Sequence, residues 1–483
     1  EKKLSEQAIE FFKKKDYDKS KSLYEEILKT NPKISFIYGN LGVIFKIKGD
    51  INRAIKCYIE AIKLDPKNIP IYNNLANAFK EIKNYKMALQ VYADILKINP
   101  NDFNTFNNIG IVFELIGDNN KAIEAYKQAV RINPNHAKSI NNIGVVLYKQ
   151  KKYKESAQIF EIALQVDENY FEVYSNKGAA YNKAKEYDKA IESLEMAILK
   201  MPNHGGAYTN LGNVYNKLFD YKTAAKMHEK SIELEPNGSN AYSNLGTSYK
   251  YLGLSNKAIS SYKKAIELDP NFVNAHFDLA TMYLSNEDFL NGWKEYEWRF
   301  KKEEMIPHII KHKDIFSKPL FTGVEDIKGK TLLLHSEQGY GDSIQFIRFA
   351  PQIKEIFGCK IAVKCREGLK ELFSTIEEID VIVDRSEETP QFDYQLSIMS
   401  MPFVLGMKSI NDLPKRIPYL KSTPYKELEI KKEKEKINIG ICWSASVTGE
   451  SYEGKVFDLK FFEPLMNNPK INLYSLCIFL LSF

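Results

Sequence analysis

A chain of 483 residues is long enough for two to four domains, each with its own core, and a 44% hydrophobic, 27% charged composition reads as soluble and folded. Its 68 basic residues against 62 acidic ones leave a net charge of +6, too weak and too dispersed to mark a nucleic-acid partner. The five cysteines (Cys57, Cys359, Cys365, Cys442 and Cys477) make no C-x-x-C pair, which excludes a disulfide framework or zinc site and fits a reducing cytoplasm.

The chain opens on EKKLSEQAIEFF, which has no signal-peptide apolar region, although a start at Glu1 without Met leaves upstream sequence open. The longest apolar run, Leu476 to Phe483, falls well short of the roughly 20 residues that a spanning helix requires, so no membrane span is expected.

From the first residue a period dominates. Proline stands at Pro32, Pro66, Pro100, Pro134, Pro202, Pro236 and Pro270, at intervals of 34 residues with one interval of 68 in which Glu168 takes the expected place. Counting Glu1 as position one, position eight is small (Ala8, Gly42, Ala76, Gly110, Gly144, Gly178, Gly212, Gly246, Ala280) and position eleven is large and apolar from Phe11 to Tyr283. Position twenty is alanine in six repeats: Ala54, Ala88, Ala122, Ala190, Ala224 and Ala258. Small residues let two helices approach, large ones fill the space beside them, and proline starts the next unit after a short turn. These residues resemble the tetratricopeptide repeat over residues 1–306. The resemblance implies an α-solenoid of helix pairs with one continuous core and a concave groove of the kind that holds peptides.

Position six lies nearly opposite the apolar stripe of the first helix, and the periodicity predicts that it is exposed. It reads Asn40, Asn74, Asn108, Asn142, Asn176, Asn210, Asn244 and then Asp278. Asn is a poor interior helix residue, and a carboxamide can both donate to and accept from the backbone of an extended peptide. Two readings stay open: a ladder that reads peptide backbone, or solvated asparagines copied with the repeat. The register is similar to the asparagine ladder of eukaryotic O-GlcNAc transferase. The ninth unit, 273–306, is atypical, with Gly292 and GWKEYEWRF (292–300), and reads as a terminal cap. His308 and His312 are four apart, but no acidic ligand shares their register, so no metal site is assigned.

A linker is expected over 307–329. Strand signals then alternate with helix signals: KTLLLHS (330–336), KIAVKC (360–365), DVIV (380–383) and DYQLS (393–397), the pattern of a parallel α/β domain over 330–425. The turn EQGYGD lies where such folds bind ligands, at a strand's carboxyl end. It lacks the Lys-Ser/Thr pair of a nucleotide P-loop, and Ile344 stands where a dinucleotide fingerprint needs its third glycine.

Strand–EQGxGD–helix, with GWKEYEWRF before it, resembles the amino-terminal Rossmann-like half of GT-B glycosyltransferases. The likeness is to the bacterial heptosyltransferase-like family, over about residues 290–476. The resemblance implies that Asp342 is the general base on an acceptor hydroxyl and that Gln338, Gly339 and Gly341 contact substrate. The competing reading is that Asp342 caps a helix beginning at Ser343. Glu337 and Arg348 are lesser candidates, Arg348 as a surface or domain-contact cation.

A charged linker (426–436) leads to INIGICWSAS, which resembles the start of the carboxyl-terminal Rossmann half. There Ser444 and Lys455 would stand near the donor diphosphate, although Lys455 equally reads as a solvated lysine. About 46 residues follow Ile437, where such a half needs on the order of 120 to 150, so 437–483 reads as an incomplete second half. The implied function is a cytoplasmic peptide-binding array coupled to sugar transfer from a nucleotide-sugar to a protein or glycan, with no cofactor. The alternative is a non-catalytic scaffold.

Overall fold

The structure is a computed structural model that describes residues 2–337, 339–415 and 419–421, together with the strands Ile437–Ile441 and Ile471–Ser475. The chain divides into two compact units, Glu1–Asp326 with Asp393–Leu413, and Ile327–Phe392 with Pro414–Phe483.

The first unit is a stack of nine helix pairs, from Lys2–Lys13 to Phe289–Tyr296. In the second repeat, helix A is Ser35–Ile47 and helix B is Ile51–Leu64. What closes each pair is the small residue at position eight. A Cβ on Gly42 would come within 2.4 Å of the Tyr58 ring, one on Gly110 within 2.4 Å of Tyr126, and one on Gly212 within 2.5 Å of His228. Position twenty-four of helix B therefore lies flat on the helix A backbone, and Tyr24, Tyr58, Tyr92, Tyr126 and Tyr262 are fully buried there. Burying a side chain of this size stabilises by roughly 1.5–3 kcal/mol.

Position fifteen turns the chain between the helices with a left-handed residue in every repeat: Gly49, Gly117 and Gly253, but also Lys15, Lys83, Lys151, Lys185, Phe219 and Glu287. Position sixteen then caps helix B. Asp16, Asp50, Asn84, Asp118, Asp220 and Asp288 each accept the backbone N–H three residues on.

Each A helix packs on its own B helix and on the B helix before it, and successive A helices also touch one another. The A helices thus form the inner wall of the stack.

The atypical ninth repeat ends in a buried polar knot. Arg299, 2% exposed, donates to Glu297 Oε1 at 2.6 Å, Ser400 Oγ at 2.8 Å and Ser397 Oγ at 3.2 Å. Ser400 in turn donates to the same Glu297 carboxylate. Ser397 and Ser400 thus pack with the cap, and Asp393–Leu413 groups with the first unit. The expected linker 307–329 is not a bare connection, since it contains the short helices Ile306–Lys311 and Lys313–Phe316.

The strand readings hold as β1 (Thr331–His335), β2 (Lys360–Cys365), β3 (Val381–Asp384) and β4 (Tyr394–Ser397), followed by β5 (Ile437–Ile441) and β6 (Ile471–Ser475). In the second unit β1 pairs parallel with β2 from Thr331↔Lys360 to His335↔Lys364, and β2 with β3 from Ala362↔Val381 to Cys365↔Asp384. Leu332, Leu333, Leu334, Ile361, Ala362 and Val363 are all fully buried, so both faces of β1 and β2 are covered, as a parallel sheet requires. β5 and β6 form a parallel pair of their own. Among the described residues no helix is long and apolar enough to cross a membrane.

Candidate functional site

The position-six asparagines lie along the inner wall in one row, but they are partly buried rather than exposed. The reason is the neighbouring repeat, which helical periodicity within one repeat does not register. Asn142 Nδ2 donates to Asn107 Oδ1 at 3.0 Å, Asn176 Nδ2 to Asn141 Oδ1 at 3.1 Å, and Asn210 Nδ2 to Ser175 Oγ at 3.2 Å. In each rung, position six of one repeat reaches position five of the repeat before it. The acceptors are themselves buried, with Asn107 4% exposed, Ser175 5% and Asn141 7%, so the rungs help satisfy groups that are costly to bury unpaired; Asn107 Oδ1 also accepts from Ser139 Oγ at 2.9 Å. Asn40 instead donates to the Tyr24 hydroxyl at 3.0 Å.

The rung is missing at Asn74, Asn108 and Asn244. Asn74 faces repeat two, where that position is Gly39, and Asn244 faces Thr209, whose hydroxyl is engaged by Ser231 at 2.7 Å. Position five of repeat three, Asn73, leaves its Oδ1 buried and unpartnered beside the row that contains Asn108. Asp278 ends the row. Burial raises its pKa above the ordinary carboxyl value, with Lys250 and Lys302 opposing. In the three complete rungs the Nδ2 donor is engaged and the Oδ1 acceptor has no partner among the described residues.

The wall is basic in one sector. Lys46 and Lys80 occupy position twelve of repeats two and three, and Lys138 occupies position two of repeat five. Lys80 is half-buried, and burial, then Lys46, then Lys138 lower its pKa. Lys46 has Glu81 at 3.5 Å, whereas Lys80 makes no ion pair within the described residues.

In the second unit the EQGYGD turn leaves β1 and enters the helix Tyr340–Phe346. The helix begins three residues before Ser343. Gly339 is its N-cap and Asp342 its third residue, with Asp342 Oδ2 accepting the Gly339 N–H at 3.0 Å. One carboxylate oxygen of Asp342 thus closes the cap from the third helical position rather than from the N-cap itself, and the side chain stays partly buried. Gly339 has φ −68°, and a Cβ on Gly341 would meet nothing within 4 Å. A Cβ on Gly339 would crowd Asp342 Oδ2 at 3.3 Å, whereas the backbone at Gly341 is bare. Ser343 Oγ is shared between Ser336 Oγ at 3.1 Å and the Gly339 carbonyl at 3.0 Å. Arg348 is a contact cation, stacked 4.3 Å from the Tyr419 ring centroid. Gln338, Ser444 and Lys455, and the charged linker 426–436, lie outside the described residues. Among the described residues no group of three or more His, Cys, Asp or Glu side chains is placed to hold a metal ion.

Comparison with known proteins bears on the helical part. Tetratricopeptide-repeat profiles match residues 42–83 and 115–151, 69–102, 171–199 and 205–237, 239–272, and 261–293. Protein FlbA of Caulobacter vibrioides is 25% identical over 211 residues, 38% of this chain and 34% of FlbA, so the match spans about a third of that protein. Among solved structures, a tetratricopeptide repeat protein from Parabacteroides merdae aligns at a TM-score of 0.42 and 19% identity, over 51% of this chain and 98% of that one. YrrB, described as a TPR protein with an unusual peptide-binding site, aligns at 0.32 and 21%, over 38% and 95%. The 34-residue period, the position-eight and position-twenty-four packing and the matched profiles agree: the helical array of the first 300 or so residues is built of tetratricopeptide repeats.

Proposed function

We propose that the inner wall of the repeat array binds an extended polypeptide through its asparagine row, and that acidic segments are favoured. The observation that carries this is the one-sided use of the carboxamides: with Nδ2 engaged between repeats, each rung offers Oδ1 as a fixed acceptor for a peptide N–H. Backbone reading of this kind is tolerant of sequence, and the Lys46–Lys80–Lys138 sector adds a preference for negative charge. The peptide-binding site named for YrrB is in keeping with that use of a repeat array.

Replacing Asn142, Asn176 and Asn210 together by Ala tests it. Each lost rung costs about 1 kcal/mol, offset by about 0.6 kcal/mol of helix propensity gained on going from Asn to Ala, so the variant stays folded. Affinity for an unstructured acidic peptide of about 15 residues, followed by fluorescence polarisation, falls at least tenfold, and a basic peptide of the same length binds poorly to both proteins. Equal affinity of wild type and variant at matched stability makes the row an inter-repeat fastener and nothing more.

A second reading is supported by the turn: a glycosyltransferase of GT-B type in which Asp342 takes the proton of an acceptor hydroxyl as it attacks a nucleotide-sugar. The Gly339 N–H holds one oxygen and so aims the other, and the bare backbone at Gly341 leaves room for an acceptor. Gln338 on the acceptor side and Ser444 and Lys455 on the donor diphosphate complete that proposal. Incubating the chain with labelled nucleotide-sugars and a bound peptide tests it, with transfer expected from wild type and lost in Asp342→Asn. Peptide capture without turnover of any donor instead identifies a scaffold.

A further inference from the structure

β2 and β3 stay in register to Cys365↔Asp384, so Arg366 and Arg385 are the next residues on neighbouring strands. β1 reaches the same level, its ladder continued by Ser336 N–H to the Lys364 carbonyl at 3.2 Å. Two guanidinium groups thus leave the sheet together at the carboxyl ends of its parallel strands, beside the turn that follows β1. Arg385 Nη2 donates to the Ser336 carbonyl at 2.8 Å, and the Arg366 guanidinium lies 5.2 Å from the Tyr340 ring centroid, so both rest on that turn.

Among the described residues neither has an ion-pair partner, and Arg366 Nε is buried with no hydrogen-bond partner. Burial and then the adjacent Arg366 lower the pKa of Arg385, whereas Tyr340 and Glu367 oppose that shift. Two like charges side by side and partly desolvated raise the energy of the empty site, and a dianion placed between them relieves it. A double positive charge matches a phosphate better than a single carboxylate, and guanidinium forks present paired N–H donors to phosphate oxygens.

We propose that Arg366 and Arg385, against Ser336 and Tyr340, form a binding site for a phosphoryl group, free or carried on a larger molecule. The site rests on its own geometry, so it stands whether or not the turn transfers a sugar, and binding can be read without turnover.

The test is titration of the whole chain with inorganic phosphate, pyrophosphate and acetate at low ionic strength, read as the shift in melting temperature and by calorimetry. Phosphate and pyrophosphate bind saturably and acetate does not. Arg366→Gln weakens phosphate at least tenfold, as loss of a charged hydrogen bond does, and does not lower the melting temperature without ligand, because Arg366 makes no hydrogen bond with another described residue and its charge stands beside that of Arg385. Arg385→Gln weakens it similarly. Lys360→Gln, which removes the same charge from the other end of β2, leaves affinity unaltered. Tighter pyrophosphate than phosphate binding places the ligand among diphosphates, and the reverse among monoesters. Absence of saturable phosphate binding, acetate binding of equal strength, or equal loss in Lys360→Gln overturns the proposal.

Discussion

His228 shows how one residue departs from the repeat and at what cost. It takes the position that is tyrosine in six repeats and phenylalanine in one, fully buried against Gly212, and burial lowers its pKa to about 4 from the usual 6.5. Its Nε2 has Asn216 Nδ2 at 3.3 Å, while Nδ1 is buried without a partner. The unfolded chain takes up a proton as pH falls through about 6.5, and the folded one only near 4, so the unfolded state binds more protons across that window. Stability therefore falls as pH falls, by about 2 kcal/mol between pH 7 and 5 from this residue. In His228→Phe that component of the acid sensitivity disappears, which urea midpoints at the two pH values measure. The same contact viewed from helix A gives a second expectation. Gly110→Ala forces a methyl against a Tyr126 ring that is fully buried and whose hydroxyl is bonded to Glu114, and costs about 1–3 kcal/mol in denaturant unfolding. The small residues were legible in sequence as a spacing rule, but which ring each one admits was not, since the partner lies sixteen residues further on in another helix.

At the scale of the helix, the A-to-B turn is built by two adjacent positions. Position fifteen adopts the left-handed conformation in all nine repeats, and position sixteen caps the next helix in six of them. The repeated Asp or Asn is present in the sequence as a cap signal, and the left-handed residue before it, glycine in only three repeats, is not. Leu254 is one of the exceptions: it stands at the N-cap of Ser255–Leu268 with no side-chain bond and is 42% exposed. Leu254→Asp restores the cap, and thermal unfolding of the variant is expected to show a gain of about 0.5–2 kcal/mol. No change would mean that the last turns of the array are already held by the cap repeat that follows.

Over the whole molecule, the end of the array is decided by Arg299. A guanidinium at 2% exposure is stable only because Glu297, Ser397, Ser400 and the Tyr296 carbonyl surround it. Arg299→Leu leaves the Glu297 carboxylate without its cation and costs about 3–5 kcal/mol. Hydrogen exchange is expected to quicken in residues 394–404 while the helices of repeats two to seven keep their protection. Uniform loss of protection would show instead that the cap and the array unfold as one.

The sequence by itself determined the 34-residue period, the helix pairs, the sequence of strands after residue 330 and the place of the EQGYGD turn. Each of these is written in local spacing, and neighbours along a helix or strand suffice to read it. Tertiary structure decided the rest. Position six is half-buried because its partner is 35 residues away in the preceding repeat. Ser397 and Ser400 meet a buried arginine about a hundred residues before them in the chain. Arg366 and Arg385 become neighbours only through the register of two parallel strands. Periodicity shows which face of a helix is apolar, but only packing shows what the opposite face meets.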